Sequence, residues 1–113
     1  METEQSNLVD RVRRLLADEP SRREVAMFGG RAFMVNEKMV ASASKGGHLL
    51  VRVAAERHDE LVAHAGAAQA EMGEGRSMGP GWVRVLAESI QSDEGLAFWL
   101  DVALEYNRST SRS

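Results

Sequence analysis

The sequence predicts an α+β fold: a two-layer domain with an antiparallel sheet of about six strands flanked by three helices, in the order α-β-β-β-β-α-β-β-α. Three observations predict it. Apolar residues recur at helical spacing near both ends of the chain, and short β-favouring stretches separated by turn residues fill 22–53. The last of these stretches alternates cleanly, with Leu49, Val51 and Val53 on one face and Leu50 and Arg52 on the other. A sheet covered on one face only produces that alternation. Helices that must cover an antiparallel sheet make a two-layer domain.

The first helix is expected over 4–18. Leu8, Val12, Leu15 and Leu16 form its apolar stripe, Val9 widens it, and Arg11, Arg13 and Arg14 lie mostly opposite. Thr3 is the expected N-cap, Glu4 suits the positive end of the helix dipole, and Pro20 forces Glu19 out of helical geometry. Strands follow at 23–28, 31–35, 38–43 and 48–53, a meander turned at Gly29-Gly30, Asn36-Glu37 and Lys45-Gly46-Gly47. A second helix over 56–65 uses Leu61, Val62 and Ala65, with Gly66 as its C-cap. A short strand at 68–72 leads into a loop at 73–81, which holds four of the ten glycines and one of the two prolines. The final strand runs from Trp82 to Leu86. Ser92 caps the last helix, 93–107, with Asp93 and Glu94 in its first turn. Leu96, Trp99, Leu100 and Ala103 form its inner stripe, and Phe98, Val102 and Tyr106 lie beside it. One domain over 1–107 and a frayed, disordered tail over 108–113 complete the expected organisation.

At 113 residues the chain has single-domain length, and folding at that size hides roughly 60–70% of the unfolded surface. The absence of cysteine excludes disulfides, thiolate metal sites and a cysteine nucleophile, and fits a reducing, cytoplasmic setting. Residues 1–7 are polar and acidic, unlike a secretory signal. The apolar runs fall far short of the ~20 residues that cross a bilayer, so no membrane partner is expected. A net charge of −3 argues against nucleic acid as a partner.

The side chains that carry chemistry form no recognisable set. His58 and His64 lie six apart on one helix, a poor fit to an i, i+4 metal pair, and His48 opens a strand. Solvent-facing or partly packed roles are expected for all three. No hydrolase nucleophile elbow is expected: Ser77 has G-x-S-x-G spacing, Gly75-Arg76-Ser77-Met78-Gly79, but lies in the 73–81 loop, which a strand and not a helix follows. Asp59-Glu60 and Asp93-Glu94 are explained by helix dipoles. The 73–81 stretch has neither a P-loop lysine nor a dinucleotide fingerprint, and a strand follows it. No catalytic residue, cofactor or metal is expected.

The segment Met27-Phe28-Gly29-Gly30-Arg31-Ala32-Phe33 resembles the MFGG signature of the TfoX N-terminal domain family. Gly75-Arg76-Ser77-Met78, Trp82 and the helix carrying Trp99 match its second half, so the resemblance covers about residues 5–107. Ser77 stands where the family often has proline, which leaves that loop less rigid. The resemblance implies a sheet flanked by helices, akin to type III secretion chaperones and YjbR-like proteins, and no established enzymatic chemistry. The family's namesake regulates bacterial competence and carries a second, C-terminal domain, so the chain looks like a stand-alone N-terminal module.

The expected function is a non-enzymatic regulatory or protein-interaction module. Three helices cannot cover both faces and both edges of the sheet, so a homodimer is expected, meeting at the open sheet edge and the helix near Glu56. The six methionines include some that suit an adaptable contact surface, or else fill the core. Met27, Phe28, Gly29, Gly30, Arg76, Met78 and Trp82 form the candidate ligand or partner surface. One reading of the Gly-Gly element is structural, with Met27 and Phe28 packing on opposite sides of a strand and the glycines supplying positive φ. The other has the turn, Arg76 and Trp82 lining a ligand groove. The alternative function is small-molecule binding, or a minor enzyme, using a pocket between the sheet and the Gly73–Gly81 loop.

Overall fold

The computed structural model describes residues 3–19, 22–27, 30–73 and 75–111. Helix α1 (Thr3–Leu15) buries Leu8 and Val12, and Leu16 lies just past its end. Thr3 is the first helical residue rather than the cap before it, and Pro20 lies outside the described residues. The helix stops three residues short of the expectation because its end tightens into i→i+3 turns, with the Ala17 and Glu19 N–H groups on the Arg14 and Leu16 carbonyls at 3.3 and 3.0 Å. Leu15, expected in the stripe, is 41% exposed. It sits about 100° around the helix from Leu16 and misses the core-facing side.

Strands β1 (Arg22–Met27), β2 (Gly30–Val35), β3 (Lys38–Ala43) and β4 (Leu49–Arg52) form the expected meander. Met27 pairs with Gly30, so the two linking residues are Phe28 and Gly29, which lie outside the described residues. Gly30 itself is a strand residue. A Cβ on it would stand 2.7 Å from the Ala43 carbonyl oxygen, so close approach of β3 is what demands glycine there. Asn36 and Glu37 both take left-handed backbone angles, φ 54° and 66°, as a two-residue hairpin turn requires. Between β2 and β3 the register skips Val40. This bulge lets Val40 and Ala41 both join the core.

The expected helix over 56–65 is in fact a 3-10 turn, Ala55–Arg57, followed by the short α2 (His58–Val62). Leu61 is the only fully buried apolar residue in that window, too little to hold a longer helix. Gly66 therefore lies beyond the helix and is not its C-cap. The strand expected at 68–72 divides at Ala70 into β5 (Ala67–Gln69) and β6 (Glu71–Gly73). Ala70 donates to the Trp82 carbonyl at 3.1 Å and accepts from the Met78 N–H at 2.9 Å, which turns the chain there. β6 pairs with β7 (Arg76–Ser77), so part of the expected 73–81 loop is a separate two-stranded ribbon.

Strand β8 (Trp82–Val85) precedes α3 (Asp93–Ser111). Ser92 caps α3 as expected, its Oγ accepting the Gly95 N–H at 3.0 Å. The helix continues through Ser111, four residues into the expected tail. Arg108 pairs with Glu19 at 3.2 Å, and Lys38 donates to the Thr110 carbonyl at 2.9 Å.

The main sheet has the order β1-β2-β3-β4-β8-β5, antiparallel throughout. Leu49 and Val51 stand opposite Ala43 and Ala41 on one side and Val85 and Val83 on the other. All of these join one buried cluster with Leu8, Val12, Leu61, Leu96, Trp99 and Leu100 from the three helices. Directly opposed residues share a face, so the other face carries Met34, Met39, Leu50, Arg52, Trp82 and Arg84. Arg84 is exposed there, and the other five are half-buried.

Candidate functional site

Arg52 is the last residue of β4 and stands directly opposite Trp82, the first residue of β8. The strand alternation that sends Leu49 and Val51 inward sends Arg52 to the open face. Its guanidinium lies 4.8 Å from the Trp82 ring centroid and 5.1 Å from that of Tyr106. It donates to the Tyr106 hydroxyl at 3.2 Å and, at 3.4 Å, to the Pro80 carbonyl. Two rings and two acceptors thus hold one cation in place.

The loop beneath it is locked from three sides. Gly81 has φ 94°, and a Cβ there would come within 2.8 Å of the Val53 carbonyl oxygen, so only glycine fits. The Gly81 N–H donates to Nδ1 of His58 at 2.9 Å, and the Gly81 carbonyl accepts from Val53 at 2.8 Å. Gln69 Nε2 donates to the carbonyls of Gly79 and Trp82 at 2.9 and 3.2 Å.

These elements border a groove of about 490 Å³. Met34 and Met39, paired across the β2–β3 hairpin, form one wall, and Arg52, Trp82 and Tyr106 form another. Lys38 and Glu37 stand at the hairpin turn, and Asn107 and Thr110 contribute from α3. Glu37 pairs with Arg23 at 3.0 Å. Among the described residues no carboxylate pairs with Arg52 or Lys38.

The residues expected to form one surface are separated. Gly30 lies in β2, with β3 and β4 between it and β8, and the register places it at the opposite end of the sheet from Trp82. Met27 closes the same hairpin, Phe28 and Gly29 lie outside the described residues, and Arg76 is exposed on β7. Met78 is half-buried beside Ala70. Among the described residues of this set, Trp82 alone borders the groove. Its actual companions Arg52, Tyr106, Met34 and Met39 could be found in sequence only by knowing that β8 enters the sheet beside β4.

Of the solvent-facing or partly packed roles expected, two histidines take the packed one, each with a backbone partner. His58 is 8% exposed and takes the Gly81 N–H, and His48 accepts the Ala87 N–H through Nδ1 at 3.0 Å. Acceptance at Nδ1 leaves the ring proton of each neutral imidazole on Nε2. His64 rests against Phe98 and Trp99, at centroid distances of 5.1 and 5.6 Å. Among the described residues no three His, Cys, Asp or Glu side chains gather to hold a metal, and no helix is long and apolar enough to cross a membrane.

On the helix-covered side of β1, Arg13 grips Glu24 through Nε at 2.7 Å and Nη2 at 2.8 Å. Those hydrogen bonds, reinforced by the nearby positive charges, hold the Glu24 carboxyl below its ordinary value against the smaller opposing effect of burial.

A six-stranded antiparallel sheet with helices packed on one face and an arginine–aromatic groove at its end defines an α+β two-layer domain. The sequence model of the TfoX N-terminal domain matches residues 14–106, most of the chain, and the protein belongs to that family. No curated relative and no solved structure matches it.

Proposed function

We infer that this chain is a non-enzymatic interaction module, working in the cytoplasm as a symmetric homodimer joined along β1. The observation that carries the reading is the outer edge of β1. A two-residue loop makes Met27 and Gly30 a hydrogen-bonded pair. Antiparallel pairs alternate, so the N–H and C=O groups of Arg22, Glu24 and Ala26 turn away from β2. Among the described residues no strand pairs with that edge. Six residues without proline or a register shift are the kind of edge that recruits another strand, and two-fold pairing with a second copy closes it.

Charge narrows the register. A two-fold axis at Arg23 or Glu24 sets like charges directly opposite each other, which destabilises a pair. An axis at Val25 sets Glu24 opposite Ala26 and Arg23 opposite Met27. The cysteine-free composition supports a reducing cytoplasm. A net charge of −3 favours protein over nucleic acid as the partner.

Sedimentation at micromolar concentration should return twice the 12.4 kDa chain mass. Ala26→Pro removes an outward N–H while leaving the β1–β2 bonds intact, and should yield a folded monomer. A constant 12.4 kDa at every concentration, or a dimer indifferent to Ala26→Pro, refutes the β1 interface.

A second reading, small-molecule binding, is favoured by one observation: the groove beside Trp82, where Arg52 has no acidic partner among the described residues.

A further inference from the structure

We propose that the groove beside Trp82 binds an organic carboxylate carried on an apolar body. The inference gives a ligand class to the small-molecule reading and rests on it, independently of the dimer.

Charge comes first. Arg52 and Lys38 both border the groove and neither has a carboxylate partner among the described residues, although the chain as a whole is acidic. The nearby carboxylate, Glu37, is taken by Arg23 at 3.0 Å. A ligand bearing negative charge completes that balance. A neutral ligand leaves both cations to water.

Geometry comes second. A guanidinium has five N–H donors. Arg52 uses two, on Pro80 and Tyr106, so five minus two leaves three. The two rings and the two acceptors hold the guanidinium before any ligand arrives, so little rotamer freedom remains to be lost on binding. A planar carboxylate matches such a fork through two parallel hydrogen bonds.

The walls come third. Met34, Met39 and Trp82 present thioethers and an indole face, which adapt to an apolar body. The groove volume of about 490 Å³ lies within the range of small-molecule sites.

Benzoate, with neutral benzyl alcohol of similar size as control, tests the proposal by NMR titration of the intact chain. Benzoate should shift the Trp82 indole and the Met34 and Met39 methyl signals saturably, with benzyl alcohol about tenfold weaker or more, the equivalent of one charge-assisted hydrogen bond. Arg52→Met should abolish the preference. Lys38→Gln, at an exposed position, should weaken benzoate by a smaller factor and keeps the test decisive if the Arg52 variant does not fold. Equal binding of the two probes, or benzoate binding unchanged in both variants, overturns the carboxylate assignment but leaves a small-molecule groove standing. No binding of either probe removes both.

Discussion

Asn107, on α3, donates its side-chain N–H to the carbonyl of Val35, on β2, at 2.9 Å, across 72 residues of sequence. It also accepts from Asn36 Nδ2 at 3.3 Å, and it is 3% exposed. One buried amide thus fastens the end of the last helix to the β2–β3 turn. Asn107→Leu keeps the volume and removes both bonds. The expected loss is about 1–3 kcal/mol in urea unfolding. A change within ~0.5 kcal/mol would show that water replaces the amide.

Trp99 is the largest side chain that α3 contributes to the buried core. It is 3% exposed and packs edge-on against Phe98 at 5.2 Å. Trp99→Ala should cost about 3–5 kcal/mol, a large part of the total for a domain of this size. Denaturant melts measure it directly, and a loss under ~1 kcal/mol would mean that the cavity collapses around its neighbours.

At the β2–β3 turn, Glu37 holds φ 66°, a conformation that costs an L-residue roughly 1–2 kcal/mol. Its ion pair with Arg23 is exposed on both sides and contributes little in return. Glu37→Gly should therefore raise stability by about 0.5–1 kcal/mol. A lowered melting temperature would show that the ion pair outweighs the backbone strain.

The Arg13–Glu24 contact predicts a pH dependence. The Glu24 carboxyl titrates below its ordinary value, chiefly because of the Arg13 hydrogen bonds. Its contribution is therefore fully present above the unfolded-state value of about 4.3, and is lost as pH falls through the lower folded-state value. Glu24→Gln should be less stable than the parent near neutral pH, with the gap closing as pH falls through the lowered folded-state value. A gap that stays constant across that range would remove the charge-based explanation.

Elements whose pattern is local were legible in the sequence. Ser92 and the Leu96, Trp99, Leu100, Ala103 stripe identify α3 because a cap and a period are read from adjacent residues. The alternation of β4 gave its inward and outward faces for the same reason. The division at Ala70 was hidden because it depends on hydrogen bonds to Met78 and Trp82, which no propensity encodes. Of the groove, Trp82 alone was among the expected surface residues. Arg52 meets Trp82 and Tyr106 only through strand insertion and helix docking, long-range arrangements that leave no periodic trace.

The place of β8 between β4 and β5 has a consequence for how the chain must assemble. Among the described residues β5 pairs with β8 alone, so when residues 67–69 leave the ribosome their sheet partner has not yet emerged. The hairpins of β1 to β4 close on neighbours already synthesised, whereas β5 waits unpaired until residues 82–85 emerge. Folding from the N-terminus can therefore produce a four-stranded intermediate early, but the completed sheet forms only as the last strand slides into its interior position. A chain stalled with Gln69 just outside the ribosome would hold that half-sheet with β4 as an exposed edge, the state most open to aggregation or to chaperone capture.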